Sequence, residues 1–244
     1  DAIDVSVVHH HMGEDGWVFR PEDDPDSTVD AIHGHPFLRQ VYLEADRSFT
    51  GRVTVPVLWD KKKQTIVNNE SREILRMFAT TMAPLGHGDL NLSPETLRAE
   101  IDAMIDANYN TVNNGVYRCG FAGTQEAYEE AFGELFTRLG ELEEHLATRT
   151  FLVGERLTEA DICLFTTLVR FDPVYYVHFK CNGGLIADSP NLRRYVQRIH
   201  QLPGIAETVN VHHIKHHYYG SHEQLNPKGF VPVGPDVSWY GERG

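Results

Sequence analysis

The chain has 244 residues, of which 41% are hydrophobic, and 22 basic against 35 acidic residues give a formal net charge of −13 at pH 7. This acidic balance argues against nucleic-acid partners and anionic membrane surfaces, because both carry negative charge. The cysteines Cys119, Cys163 and Cys181 are too widely spaced for a disulfide framework or a zinc knuckle. No apolar stretch approaches the roughly 20 residues that span a membrane. A cytoplasmic protein is therefore expected.

The first 56 residues predict two strands joined by a long irregular connection. Ile3–Val8 alternates between apolar and polar residues, which is typical of a half-buried strand. Residues 9–50 are rich in His, Gly, Pro and Asp, with one short helical turn at Phe37–Ala45, and loops of this length are usually functional or disordered. A second apolar strand is expected to stop at Val55–Pro56, where proline leaves backbone groups free for an outside partner.

The next segment predicts a hairpin followed by a helix. The hairpin turns through Asp60–Lys63 and returns along Gln64–Val67, and Glu70–Ser71 opens the helix. Amides at a helix N-terminus attract a carboxylate, while Glu70 can hold an ammonium group. A γ-glutamyl peptide such as glutathione carries both groups. The segment therefore predicts a half-site for a peptide of this kind.

The rest of the chain is predominantly helical in pattern. Ser93 is a predicted N-cap with Pro94 at the first helical position, and Thr158 with Asp161 has the spacing of a capping box. Helices are predicted at 94–114, 124–147, 158–177 and 189–202. A small α/β domain followed by an all-helical domain results, with limits at 1–81, 82–92 (linker), 93–220 and 221–244 (irregular C-terminal tail).

Histidine clusters at His9–His11 and at His212, His213, His216 and His217 invite a metal interpretation, since residues at i and i+4 share one helix face. No carboxylate or cysteine partner stands at a typical ligand spacing, so no metal site is predicted. Cys119 follows Tyr117 by two positions, but free cysteines are most often small buried hydrophobes. A structural role is expected for it.

Several stretches spread through nearly the whole chain resemble one enzyme family, the glutathionyl-hydroquinone reductases, or Xi-class glutathione transferases. They are E-D-G-W-V-F, F-T-G-R-V-T-V-P-V-L-W-D, I-V-N-N-E-S-R-E-I-L-R-M-F, N-N-G-V-Y-R-C-G-F-A, T-Q-E-A-Y, R-F-D-P-V-Y-Y-V-H-F-K-C-N and I-K-H-H-Y-Y-G-S-H. The run F-L-V-G-E-R-L-T-E-A-D-I-C-L-F also resembles the buried capping-box helix of the glutathione transferase superfamily. The resemblance implies a thioredoxin-like α/β domain followed by an all-α domain.

The resemblance also implies the site. Glutathione would be held by Trp17, Arg52, Val53, Thr54, Val55, Glu70 and Ser71. Tyr117 would exchange a proton with the aromatic substrate, while Tyr175 and Tyr218 would hydrogen-bond near the nucleophilic thiol and lower its pKa. Expected partners are glutathione as co-substrate, a glutathionyl-hydroquinone, and a second copy of the chain through residues 125–133. No metal cofactor is expected.

The chain departs from the family pattern at its beginning. The family nucleophile is a cysteine in a C-P-W-A type motif, at the start of the first helix after the first strand. Since this chain begins at what should be the second strand, the resemblance implies that the nucleophilic cysteine lies before Asp1. Two alternatives stay open: a cysteine-free glutathione-binding or scaffold protein, and a conjugating transferase in which Ser or Tyr activates glutathione.

Overall fold

A computed structural model describes residues 3–86 and 90–241. The chain divides into two compact units, residues 1–89 and 90–244, and the division falls inside the segment 82–92. Within the described ranges, no helix is both long enough and apolar enough to cross a membrane. The smaller unit contains a sheet and two helices, whereas the larger unit is helical.

The N-terminal unit contains α1 (Leu38–Ala45), β1 (Leu58–Asp60), β2 (Thr65–Asn68) and α2 (Ser71–Ala79). β1 and β2 form an antiparallel hairpin, as predicted, and α2 begins where the sequence indicated. The amphipathic α1 buries Leu38, Val41 and Tyr42 against apolar side chains from the preceding loop and the hairpin. This small core places Thr54 and its neighbours in the chain beside α1.

Two strand predictions were wrong. Ile3–Val8 is extended without being a strand, because Val7 bonds to a loop: its amide donates to Thr28 Oγ1 and its carbonyl accepts from the Thr28 amide, both at 2.8 Å. The run ending at Val55–Pro56 is likewise not a strand, and the sheet starts only at Leu58. A proline has no amide to give to a ladder, so pairing begins after it.

The C-terminal unit contains seven α-helices in its described part: α3 (Arg98–Asn108), α4 (Gly115–Gly120), α5 (Gln125–His145), α6 (Glu159–Arg170), α7 (Tyr176–His178), α8 (Pro190–His200) and α9 (Val211–Ser221). Two predicted continuous helices, 94–114 and 158–177, are interrupted by π-helical turns at Tyr109–Asn113 and Phe171–Tyr175. Such turns often occur at functional sites. Helix α9 follows the last predicted helix, 189–202.

The two predicted helix starts had different outcomes. Ser93 does not cap α3: a 3₁₀ turn at Glu95–Leu97 intervenes, and the Ser93 amide instead donates to Asn91 Oδ1 at 3.1 Å. Thr158 and Asp161 are confirmed, because the Thr158 amide donates to the buried Asp161 carboxylate at 2.8 Å. Asp161 also accepts the Leu152 amide, which ties the start of α6 to the preceding loop.

Candidate active site

The side chain of Tyr42 fixes the backbone of Thr54 by hydrogen bonds. The buried Tyr42 hydroxyl donates to the Thr54 carbonyl at 2.8 Å and accepts the Thr54 amide at 3.3 Å. Asn69 Nδ2 adds bonds to the Tyr42 hydroxyl at 3.2 Å and to Thr54 Oγ1 at 3.1 Å. Helix α1, residue Thr54 and the start of α2 are thereby fixed to one another by side-chain hydrogen bonds.

Glu70 and Ser71 lie where α2 begins. Glu70 is the N-cap of α2. Its amide lies outside the hydrogen-bond pattern of the helix and donates to Asn68 Oδ1 at 2.7 Å. Both Glu70 and Ser71 are exposed, and within the described residues the Glu70 side chain forms no capping hydrogen bond. As at any helix N-terminus, the first amides of α2 have no partner within the helix, and their positive end can attract a carboxylate.

The other predicted glutathione residues lie in the same unit, in different environments. Trp17 is half-buried against the α1 core, and its carbonyl accepts the Leu38 amide at 3.0 Å. Val53 packs on this core too, while Arg52 and Val55 are exposed. Among the described residues, the backbone of Val55 makes no hydrogen bond, so its amide and carbonyl are available to a peptide ligand.

The three predicted catalytic tyrosines of the helical unit meet at their hydroxyls. The Tyr117 and Tyr218 oxygens are 2.5 Å apart, and the Tyr175 and Tyr218 oxygens are 2.9 Å apart. Tyr117 comes from α4, Tyr175 from the π-helical turn after α6, and Tyr218 from α9. Three segments that are distant in the sequence thus form one hydroxyl chain.

Burial keeps the inner tyrosines protonated. The pKa of Tyr175 is raised well above its ordinary value, because its hydroxyl is fully desolvated and lies near Tyr218 and Tyr117. Burial and the bond to Tyr117 also raise the pKa of Tyr218. In each of the two pairs either hydroxyl can be the donor. Tyr117 is 36% exposed, so it is the member of the chain that a ligand can reach.

An aromatic layer supports the tyrosines. Phe179 stacks on Tyr175 with centroids 5.4 Å apart and planes at 10°, and it also contacts Tyr117 at 5.2 Å. Gly120 lies against the Phe179 ring so closely that a Cβ at this position would overlap it. Beyond the layer, His222 Nδ1 lies 3.0 Å from His178 Nε2. The result is a buried aromatic layer beneath Tyr117, whose ring is its exposed edge.

The cysteines of this chain have structural positions. Cys119 and Cys181 are both buried in the helical core. A hydrogen bond between their thiols lowers the pKa of Cys119 and raises that of Cys181. Burial keeps both sulfurs away from solvent, in agreement with the structural role expected of Cys119.

Comparison with known proteins identifies the chain's relatives. Residues 125–198 match the family model of the glutathione S-transferase C-terminal domain. The glutathionyl-hydroquinone reductase PcpF of Sphingobium chlorophenolicum is 54% identical over 96% of this chain and 74% of its own length. The reductase YqjG of Escherichia coli is 52% identical over 96% of this chain and 71% of its length.

The chain belongs to the glutathionyl-hydroquinone reductase family.

Solved structures agree with this membership. The glutathione-bound structure of YqjG superposes with a TM-score of 0.93 at 51% identity, covering 96% of this chain and 76% of that one. A Xi-class transferase from Natrialba magadii superposes with a TM-score of 0.96 at 48% identity, covering 100% and 76%. The predicted fold class, a thioredoxin-like domain followed by an all-α transferase domain, is thereby confirmed, and the protein is an enzyme of the glutathione transferase family.

This member of the reductase family also has site residues that sequence reasoning missed. Tyr42 and Asn69 hold the Thr54 segment, and Phe179 supports the tyrosines. Asn69 stands in the quoted stretch I-V-N-N-E-S, directly before Glu70, and Phe179 stands in V-H-F-K-C-N, so the family motifs contained both. Tyr42 had no signal beyond its place on the apolar face of a short helix.

Proposed function

We propose that the protein carries out glutathione-dependent reductive deglutathionylation of glutathionyl-hydroquinones, yielding hydroquinone and glutathione disulfide. The observation that carries the proposal is the chain of tyrosine hydroxyls that ends at the exposed Tyr117. It would supply an exposed proton donor, Tyr117, next to aromatic side chains, as release of an aromatic leaving group requires. Membership of the reductase family supports the same reaction.

The proposed reaction has two steps. A cysteine thiolate attacks the sulfur that joins glutathione to the aromatic ring, and the electron pair of the broken carbon–sulfur bond passes to the ring carbon. That carbon takes a proton and leaves as hydroquinone, while a cysteine–glutathione disulfide forms. A second glutathione, reacting as its thiolate, attacks this disulfide and releases glutathione disulfide and the cysteine thiolate.

Tyr117 is the proposed proton donor of the first step. Tyr218 is proposed to donate to the Tyr117 oxygen 2.5 Å away, so that the phenolate that remains after proton transfer keeps a hydrogen bond. Tyr175 is proposed to hold Tyr218 in this orientation. The two inner tyrosines are proposed to act on the substrate and on the nucleophilic thiol by way of Tyr117, since Tyr117 is the exposed member of the chain.

Glutathione is proposed to bind to the N-terminal unit. The Val55 amide and carbonyl would pair with the cysteinyl part of the peptide, and Glu70 would pair with its α-ammonium group. The Ser71 end of α2 would receive the γ-glutamyl carboxylate. Trp17, Arg52, Val53 and Thr54 would complete the site. The glutathione-bound relatives support glutathione as the co-substrate.

The nucleophile is proposed to be a cysteine located before Asp1. The described N-terminal unit contains no cysteine. The relatives of this chain are longer than the chain itself, which covers 74% of the length of PcpF. A cavity of about 660 Å³ lies among Val5, Val7, Val57 and Ile74. Such an apolar cavity is suited to a further strand packed beside the hairpin, which supports the proposed upstream segment.

Turnover of a glutathionyl-hydroquinone by the complete protein tests the function. Hydroquinone and glutathione disulfide are expected in equal amounts, and Tyr117→Phe is expected to slow hydroquinone release at least about 100-fold, the usual size of an acid–base contribution. Tyr109→Phe is the control, because Tyr109 is exposed and lies outside the hydroxyl chain. Conjugation of a chloronitrobenzene without deglutathionylation would instead identify a conjugating transferase.

A homodimer with contacts around residues 125–133 is proposed as the assembled form. These residues form the first turns of α5, where Gln125, Glu129 and Gly133 are exposed. Light scattering on a sizing column measures the mass directly. A monomer at micromolar concentration would contradict the proposal, and Gly133→Arg should shift a dimer toward monomer.

A further inference from the structure

The irregular N-terminal loop brings together a carboxylate and two imidazoles that stand apart in the sequence. The ligand atoms of His9, His10 and Asp24 all lie within 4.8 Å of one another. His9 and Asp24 are buried, and His10 is half-buried. Sequence spacing gave no partner to the histidines, because Asp24 follows His10 by 14 positions and reaches it only through the fold.

From this arrangement we infer that His9, His10 and Asp24 form a zinc-binding site, with water as the fourth ligand. Two imidazoles and a carboxylate are a common zinc ligand set, and three protein ligands with an open fourth position form a complete tetrahedral site. Ligand atoms around zinc are roughly 3.3 Å apart when the bonds are about 2.0 Å long. The spacing of 2.9 Å between His10 Nδ1 and Asp24 Oδ2 is close to that value, and the His9 ligand atom lies within 4.8 Å of both.

Surrounding hydrogen bonds orient the ligands in advance. The His11 amide donates to His9 Nδ1 at 2.9 Å, so the ring proton lies on Nε2, and Nδ1 is the nitrogen whose lone pair zinc would take in place of that amide. The Asp24 carboxylate accepts the Asp26 amide at 3.1 Å and the His10 amide at 3.2 Å. Hydrogen bonds of this kind set the angle at which imidazoles and carboxylates approach a metal.

The charge of the loop favours a cation. Between residues 9 and 26, Glu14, Asp15, Glu22, Asp23 and Asp26 accompany Asp24 against one basic residue, Arg20, although Asp15 pairs with Arg39 further along the chain. Arg20 is itself paired with Asp23, with Nε 2.8 Å from Oδ2. A divalent cation bound at the cluster would offset part of this negative charge.

Binding would join two parts of the loop. His9 is tied to Val18 by a backbone bond of 2.8 Å, and Asp24 heads the turn that its carbonyl closes with Ser27 at 2.9 Å. Zinc would connect these segments and fix the stretch that carries Trp17. A metal that binds only the folded form raises thermal stability with the logarithm of its free concentration above Kd, which gives a readout separate from enzyme activity.

Cobalt titration of the metal-stripped complete protein tests the site, because four-coordinate cobalt absorbs strongly in the visible range and zinc displaces it. The titration uses a His212→Gln/His216→Gln background, since this stacked pair on α9, with centroids 3.8 Å apart, offers a competing site. One equivalent of cobalt is expected, with affinity reduced at least about tenfold by His10→Gln. His35→Gln is the matched control: His35 pairs with Glu44 at 3.2 Å, without a third ligand.

The outcomes separate clearly. Zinc should raise the melting temperature of the background protein and of the His35→Gln variant, and leave that of His10→Gln unchanged. Asp24→Asn should also weaken binding. Because the Asp24 carboxylate accepts two amides, the circular dichroism spectrum of this variant is first compared with that of the background protein. The result for His10→Gln decides the test. No stoichiometric cobalt band in the background protein, or equal affinity in His10→Gln, would show that the cluster is only a histidine–aspartate pair.

Discussion

The hydroxyl of Tyr42 lies 2.8 Å from the carbonyl oxygen of Thr54 and accepts the amide of the same residue. One side chain on α1 therefore fixes both backbone polar groups of a residue in the predicted glutathione site. The next residue, Val55, is left with its own amide and carbonyl exposed to a ligand. Tyr42 thus prepares the backbone of the site without standing among its ligand-binding groups.

Replacing Tyr42 with Phe removes these bonds while it keeps the ring in the α1 core. The expected loss in unfolding free energy is about 1–2 kcal/mol, because buried backbone groups lose their partner. Glutathione affinity should fall about 3- to 10-fold, since the Thr54 segment becomes less ordered. Calorimetric titration with glutathione and urea unfolding measure both effects.

Tyr240→Phe is the matched control for that variant. Tyr240 is also buried and its hydroxyl also donates to a carbonyl, that of Val169, at 2.8 Å. It should cost a similar unfolding free energy and leave glutathione affinity unchanged. An affinity loss of the same size in both variants would attribute the effect to general destabilisation.

The three linked tyrosines should differ in importance according to their order. Tyr117→Phe removes the exposed hydroxyl, which is the proposed proton donor, and is expected to lower kcat most. Tyr218→Phe removes the hydrogen bond that supports the Tyr117 oxygen and should lower kcat about tenfold, the size expected for one hydrogen bond to a developing charge. Tyr175→Phe should have the smallest effect. Steady-state kinetics with a glutathionyl-hydroquinone gives the ranking, and a larger effect of Tyr175→Phe than of Tyr117→Phe would refute it.

Gly120 should not accept a side chain. Its Cα faces the Phe179 ring, so Gly120→Ala forces that ring to move and is expected to cost about 1–3 kcal/mol of unfolding free energy. Because Phe179 stacks on Tyr175, hydroquinone release should slow as well. Gly123→Ala is the control, since a Cβ there has no heavy atom within 4 Å. Equal stability of the two variants would contradict the packing argument.

The His178–His222 pair predicts loss of stability at acid pH. Burial lowers the pKa of His178 from 6.5 to about 4, with further lowering by His222, Lys180 and His217. The unfolded chain therefore binds a proton at this residue below about pH 6.5, while the folded chain stays neutral there until about pH 4. Stability is fully present above pH 6.5 and falls as the pH drops toward 4.

Urea unfolding at pH 7 and pH 5 measures this dependence. The decrease between the two pH values should be smaller in His178→Gln than in the parent protein, because the titrating group is gone. His35→Gln serves as the reference for loss of a histidine on the surface, where its ring bonds Glu44. If all three proteins lose the same free energy, His178 does not control the acid response.

Sequence patterns predicted the helical unit better than the small one. Amphipathic periodicity located α5, α6 and α8, because each buries a long apolar face in a single core. The two π-helical turns escaped prediction, since one extra residue in a turn leaves the apolar pattern almost unchanged. The alternation in Ile3–Val8 misled, because an alternating segment can also bond to a loop.

The site followed the same division. Family motifs predicted Glu70, Tyr117 and Tyr218 as site residues, and the structure brings Tyr117 and Tyr218 together. The residues that contact the predicted site, such as Tyr42 beside Thr54 and Phe179 beside Tyr117, are common buried types that only the fold brings into place. Likewise, nothing in the spacing of His10 and Asp24 indicated that they would meet.

The bond between Tyr117 and Tyr218 spans 101 residues of sequence. In folding terms, this contact closes a long loop, which is slow and becomes favourable only when the intervening helices have packed. A nascent or truncated chain that ends before α9 would contain Tyr117 without the neighbour that orients its hydroxyl. The orientation of the Tyr117 hydroxyl thus depends on completion of the whole helical unit.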